Sequence, residues 1–139
     1  MRRVCLLVVL FGSWCFSLGQ SAPKLTVPKI VAAFERLNQT SPISLTKVFT
    51  PQHWGTFQVS VVMVETVAGG EGIWNGQFFW RDGGGDEGNG LPLGTTRRGS
   101  VSIIWAGRMK AGTPFEFSIN AVNSPGGKYN VWIVVEQLM

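Results

Sequence analysis

The stretch that decides the fold is Thr56-Phe57-Gln58-Val59-Ser60-Val61-Val62-Met63-Val64-Glu65. Phe57, Val59, Val61 and Met63 recur at every second position, with Gln58 and Ser60 between them. A period of two is that of a β-strand, whose successive side chains point to opposite faces; a helix needs apolar residues three and four apart. The β-branched valines favour the same conformation.

Working outward, the same period recurs. Residues 44–50 carry Leu45, Val48 and Phe49 in imperfect alternation, and residues 72–80 form a strand rich in aromatics. Residues 100–106 give Val101, Ile103 and Trp105. Residues 115–122 give Phe115, Phe117, Ile119 and Ala121, and residues 129–136 give Tyr129, Val131, Ile133 and Val135. Gly69-Gly70, the long segment 83–94, Ala111-Gly112 and Ser124-Pro125-Gly126-Gly127 separate these runs and read as turns and loops. Short strands divided by Gly/Pro turns predict an all-β antiparallel sandwich, jelly-roll-like, of about six to eight strands.

One segment departs from this period. Val27, Ile30, Val31, Phe34 and Leu37 fall at helical spacing, Thr26 is a good N-cap, Pro28 suits a first turn and Asn38 can close a helix. This predicts one short N-terminal amphipathic helix. Several strands are apolar on both faces: Val62 and Val64 opposite Phe57, Ile104 opposite Ile103, Trp132 and Val134 opposite Val131 and Ile133. A one-sided antiparallel sheet would be polar there. The expectation is a covered outer face, with the helix as cover and a second copy or partner as the alternative.

The start of the chain reads as a secretory leader. Arg2 and Arg3 precede the apolar run 4–11, and Ser17 and Gly19 place small residues before a cut at Gln20. This predicts a signal peptide over residues 1–19 and one domain over 20–139, secreted or periplasmic, with no stable transmembrane anchor after cleavage. Both cysteines, Cys5 and Cys15, leave with the leader, so the mature domain has no disulfide and no thiolate site. Losing Arg2 and Arg3 takes the formal net charge from +4 to +2. That is too little for a nucleic-acid face, which needs clustered basic residues. At 45% hydrophobic and 14% charged, the chain is neither disordered nor a coiled coil.

Candidate sites are few. Flat aromatic rings stack on sugar faces, and of the tryptophans Trp74, Trp80 and Trp105 share parity with apolar neighbours and read as core, as does Phe78. Trp54, beside His53 in a Pro/Gly turn, and Trp132 are the ligand-binding candidates. Arg97 and Arg98 could hold an anion. Arg81-Asp82-Gly83-Gly84-Gly85-Asp86-Glu87-Gly88-Asn89-Gly90 offers Asp82, Asp86, Glu87 and Asn89 as oxygen ligands for calcium on a flexible loop. Asn38-Gln39-Thr40 is an N-glycosylation pattern. His53 is the single histidine, and no catalytic motif accompanies it; Glu65 and Glu71 are the carboxylates that flank one turn. The reading is a non-catalytic binding module for an extracellular ligand such as a glycan. The alternatives are a self-assembling subunit of a filament, coat or matrix, and a membrane-active sandwich protein.

Overall fold

The computed structural model describes residues 27–94, 99–123 and 125–138. Eight strands form: β1 (Lys29–Gln39), β2 (Ile43–Phe49), β3 (Gly55–Val67), β4 (Ile73–Arg81), β5 (Asp86–Gly94), β6 (Ser100–Met109), β7 (Phe115–Val122) and β8 (Lys128–Gln137). They make two four-stranded antiparallel sheets, ordered β1-β8-β3-β6 and β2-β7-β4-β5. The ladders β1·β8, β2·β7, β3·β6 and β4·β5 nest inside one another, so the chain is one long hairpin rolled into two layers. Its tip is the β4–β5 turn. This is the jelly-roll arrangement, in which two sheets face each other across a single core.

The period of two explains the layers. Phe57, Val59, Val61 and Met63 of β3 stand beside Val135, Ile133 and Val131 of β8, all buried. Facing them from the second sheet are Trp74 and Phe78 of β4 and Phe115, Phe117 and Ile119 of β7. Phe34 of β1 meets Phe117 edge-on at 4.7 Å between ring centroids, and Trp80 of β4 meets Trp105 of β6 edge-on at 3.9 Å. Both pairs join the two sheets. Gly76 faces Met63 of the other sheet: a Cβ there would lie 3.1 Å from the Met63 sulfur, tighter than most packing contacts.

Three expectations are corrected. The predicted N-terminal helix is strand β1. Bulges between Ile30 and Ala32 and between Arg36 and Gln39 interrupt its pairing with β8. Each inserts residues into the period of two, so Val31, Phe34 and Leu37 fall three apart and imitate a helix face. Asn38 does adopt the left-handed conformation its residue type favours (φ 53°), but in a bulge, where its N–H donates to Asn130 Oδ1 at 2.7 Å.

The second correction concerns segment 83–94. Its loop is only the turn over residues 82–85, and β5 pairs with β4 from Asp86↔Arg81 to Gly94↔Ile73. The third concerns the outer face of the first sheet. Because β1 belongs to that sheet, it does not cover it. Ile104 is 69% exposed there and Val62 lies open beside it.

Candidate functional site

The outer face of the second sheet is built by alternation. On β4 the residues between the core aromatics are Asn75, Gln77, Phe79 and Arg81. On β7 they pair with Asn120, Ser118 and Glu116, through Asn75↔Asn120, Gln77↔Ser118 and Phe79↔Glu116. On β5 the neighbours of Phe79 and Gln77 are Gly88 and Gly90. The result is an aromatic ring, 39% exposed, set in a field of amides, a hydroxyl and carboxylates, with a bare strip of backbone along one side.

A cleft of about 600 Å3 opens on this face. Leu45, Phe79, Trp80 and Pro114 supply its apolar wall, and Arg81, Asp86, Glu87, Thr113, Glu116 and Ser118 its polar groups. Arg81 and Asp86 form an ion pair through Nε and Oδ1 across the end of the hairpin. The Arg81 hydrogen bond holds the Asp86 carboxyl below the usual carboxylate range, and the same bond raises Arg81. Beyond the cleft Asn120 Nδ2 donates to Gln77 Oε1 at 2.9 Å, which orients both amides along the sheet.

Glycine at 88 and 90 is not demanded by the fold. Neither has a positive φ. A Cβ at Gly88 would find its nearest atoms at 3.5 Å (Phe78 O) and 3.8 Å (Phe79 Cδ1), and at Gly90 at 3.8 Å, all ordinary contacts. Glycine weakens a strand, and inside one it often marks the close approach of a ligand or another backbone. Here its effect is to leave the flank of the Phe79 ring uncovered.

The sequence-derived candidates are dispersed. Trp54 lies at one end of the sandwich, 44% exposed, against the hairpin tip: a Cβ at Gly83 would lie 2.9 Å from its ring, and the Arg108 guanidinium stands 5.4 Å from the ring centroid. Its ring borders Gly83 and the Arg108 side chain and stays partly open to solvent. His53 is exposed and lines a separate cleft of about 250 Å3 with Lys29, Gln52 and Gln137. Trp132 is on the outer face of the first sheet, half-buried, and its Nε1 donates to Glu35 Oε2 at 3.0 Å. Arg97 and Arg98 lie outside the described residues, as does the leader 1–19. The apolar reading of Trp74, Phe78, Trp80 and Trp105 holds; Trp80 and Trp105 are half-buried.

Of the proposed calcium ligands, Asp82, Asp86 and Glu87 take separate positions along the hairpin. Asp82 Oδ1 accepts from the N–H groups of Gly84 (2.6 Å) and Gly85 (3.1 Å) and closes the turn. Asp86 is engaged by Arg81, while Glu87 pairs in register with Trp80 rather than with Arg81. No group of three or more His, Cys, Asp or Glu side chains converges on one point among the described residues.

Phe79, Gln77, Ser118 and Glu116 are the residues sequence reasoning missed. The signal was present: an aromatic on the polar parity of β4, and glycines at the alternate positions 88 and 90 of β5.

No family model matches this chain, and no curated protein matches it. Among solved structures it is similar to a family 16 carbohydrate binding module-2, at 15% identity over 74% of this chain and 74% of that chain, with a TM-score of 0.39. It is also similar to a carbohydrate binding module from Cellvibrio mixtus lichenase 5A in complex with cellotriose, at 16% identity over 77% of this chain and 88% of that chain, with a TM-score of 0.35. Similarity this low carries no argument about this chain's ligand.

Proposed function

We propose that this protein is a non-catalytic glycan-binding module that acts outside the cell and binds its ligand on the outer face of the second sheet. The observation that carries this reading is the exposed Phe79 ring beside the bare Gly88–Gly90 edge, within a polar cleft of about 600 Å3. A sugar ring has a flat C–H face that stacks on an aromatic, and a rim of hydroxyls that each donate and accept. Amides match that rim because each carries a donor and an acceptor in one plane. Gln77 and Asn75 continue the surface along β4 for about 13 Å, enough for a short run of rings.

The cleft suits binding rather than hydrolysis. A glycosidase keeps its acid protonated by burying it away from water. Glu87 is exposed and Glu116 only half-buried.

Titration calorimetry against cellotetraose and related tetramers, with a Phe79→Ala variant, tests the reading. Binding by the wild type that disappears in Phe79→Ala, with no cleavage of the oligosaccharide, supports it. Equal binding by both proteins refutes it.

A second reading, self-assembly, draws on the outer face of the first sheet, where Ile104, Val62, Val134 and Trp132 form an apolar band. Light scattering at high concentration decides it: a monodisperse monomer excludes assembly through this face.

A further inference from the structure

The edge strands are β1 and β6 in the first sheet and β2 and β5 in the second. An unprotected edge is a template for another strand, and bulges, proline and charged residues are the usual protection. Bulges interrupt β1 and β2, which also carry Lys29, Glu35, Arg36 and Lys47. Strand β5 holds Pro92, Asp86 and Glu87. Strand β6 has neither bulge nor proline. It pairs with β3 without a register shift from Met109↔Gly55 to Ser100↔Val64, and its single charge is Arg108, near one end.

The ladder fixes where the other backbone groups of β6 point. The Glu65 N–H donates to Gly99 O at 2.9 Å, one step beyond the Val64↔Ser100 pair. Bonded pairs alternate along an antiparallel ladder, so the odd-numbered residues of β6 bond to β3. Ser100, Ser102, Ile104, Ala106 and Arg108 therefore aim their N–H and C=O groups away from β3, where no strand pairs with β6 among the described residues. Each of these residues is exposed, and Ile104, at their centre, is 69% exposed.

We propose that β6 pairs with β6 of a second copy of this chain, antiparallel about a two-fold axis at Ile104, so that the two first sheets join edge to edge. This register sets Ile104 against the partner's Ile104, Ser102 against the partner's Ala106 and Ser100 against the partner's Arg108. Every outward N–H and C=O of these residues then meets its complement, and a slip in either direction leaves one end unmatched. The two Ile104 residues, with Cα atoms about 5.5 Å apart, cover each other's side chains. Antiparallel pairing keeps the two guanidinium groups at opposite ends of the joint, whereas in-register parallel pairing would set like charges side by side. The joint is edge to edge rather than face to face. It uses the first sheet, while the proposed glycan site is on the second, so the two readings stand or fall separately.

Sedimentation equilibrium of the intact chain tests this, under reducing conditions so that Cys5 and Cys15 cannot link copies. One strand edge is a small interface and makes a weak dimer, so the series runs up to about 1 mM. The wild type should show a monomer–dimer equilibrium. Ala106→Pro removes one outward N–H and leaves the bonds to β3 intact; it should be monomeric throughout. Ser100→Glu, facing the partner's Arg108, should tighten the dimer about fivefold, and added salt should erase the gain. Val62→Thr makes the outer face more polar without touching the edge and should leave the dimer unchanged. Thermal melting checks each fold, and if Ala106→Pro does not fold, Ser100→Glu decides alone. A wild type that stays monomeric at the highest concentration overturns the proposal. So does a dimer that survives in folded Ala106→Pro, that Val62→Thr disrupts, or that Ser100→Glu fails to tighten.

Discussion

Phe79 and Glu116 stand directly opposite each other across the β4–β7 ladder, on the face turned away from the core. Directly opposed side chains in an antiparallel pair have Cβ atoms only about 5 Å apart. An apolar ring and a carboxylate in that position do little for each other. Phe79 lies 39% exposed where alternation would place a polar residue, and the proposed glycan, with an apolar face and a polar rim, would suit both members of the pair.

The glycines beside Phe79 offer a sharp prediction. Gly88→Leu places a side chain on the flank of the Phe79 ring without strain, since the backbone φ is not positive and the nearest contacts are ordinary. Stability should be unchanged or rise by up to about 1 kcal/mol, because glycine is a poor strand former. Glycan affinity should fall about tenfold or more, equivalent to about 1.4 kcal/mol. Melting and calorimetry on one preparation check both outcomes. A destabilised variant with intact binding would mean that glycine serves the fold.

Strand β1 is tested through the contact of Phe34 with Phe117. Phe34→Ala should cost about 2 kcal/mol and Phe117→Ala about 4 kcal/mol. Because the rings meet edge-on at 4.7 Å, the double variant should cost about 1 kcal/mol less than the sum. Denaturant unfolding of the four proteins measures this. Strict additivity would deny the contact, and with it the position of β1 over the second sheet.

Tyr129 gives a pH prediction. Burial pushes its phenol well above the usual tyrosine range, and its O–H donates to Ser41 O at 2.8 Å. The folded value is raised, so the folded state holds a proton that the unfolded chain releases near pH 10. The stabilisation is therefore complete below about pH 10 and is lost as pH rises above it. Tyr129 is the single tyrosine, so phenolate absorbance reports it alone. The absorbance should appear together with unfolding, and a phenolate in a still-folded chain would contradict the account. In Tyr129→Phe the alkaline loss should weaken.

Trp54 separates a site on the outer face of the second sheet from one at the turn of residues 51–54. It supports the hairpin tip through Gly83 and stacks with Arg108. Trp54→Ala should cost about 2 kcal/mol, the low end for a large aromatic because the ring is partly exposed. Glycan affinity should stay within about twofold. Its abolition would return the binding site to the turn at residues 51–54.

Much of the fold is legible from periodicity alone. Residues 56–65, 115–122 and 129–136 alternate cleanly because each strand has one face in the core, and all three are strands with those faces inward. Two segments resisted. In β1 the bulges change the phase of the pattern, so Val31 and Phe34 mimic a helix. In β5 glycine hides the strand: Gly88 and Gly90 alternate with Asn89 and Leu91, but glycines next to acids read as a loop. The site went unread for the same reason. It depends on which residues of β4 share the outward parity and on β7 lying beside them. That neighbourhood is a property of the rolled hairpin, not of any local run. Trp54 is the more conspicuous aromatic in the sequence, and it lies 44% exposed at the end of the sandwich beside Gly83 and Arg108.

The central claim is most directly tested by amide chemical-shift mapping of the isotopically labelled chain during titration with cellotetraose. The account predicts that perturbations gather on Gln77, Phe79, Gly88, Gly90, Glu116 and Ser118, and that Trp132 on the opposite sheet stays still. Shifts confined to His53 and Trp54, or to the outer face of the first sheet, would contradict it.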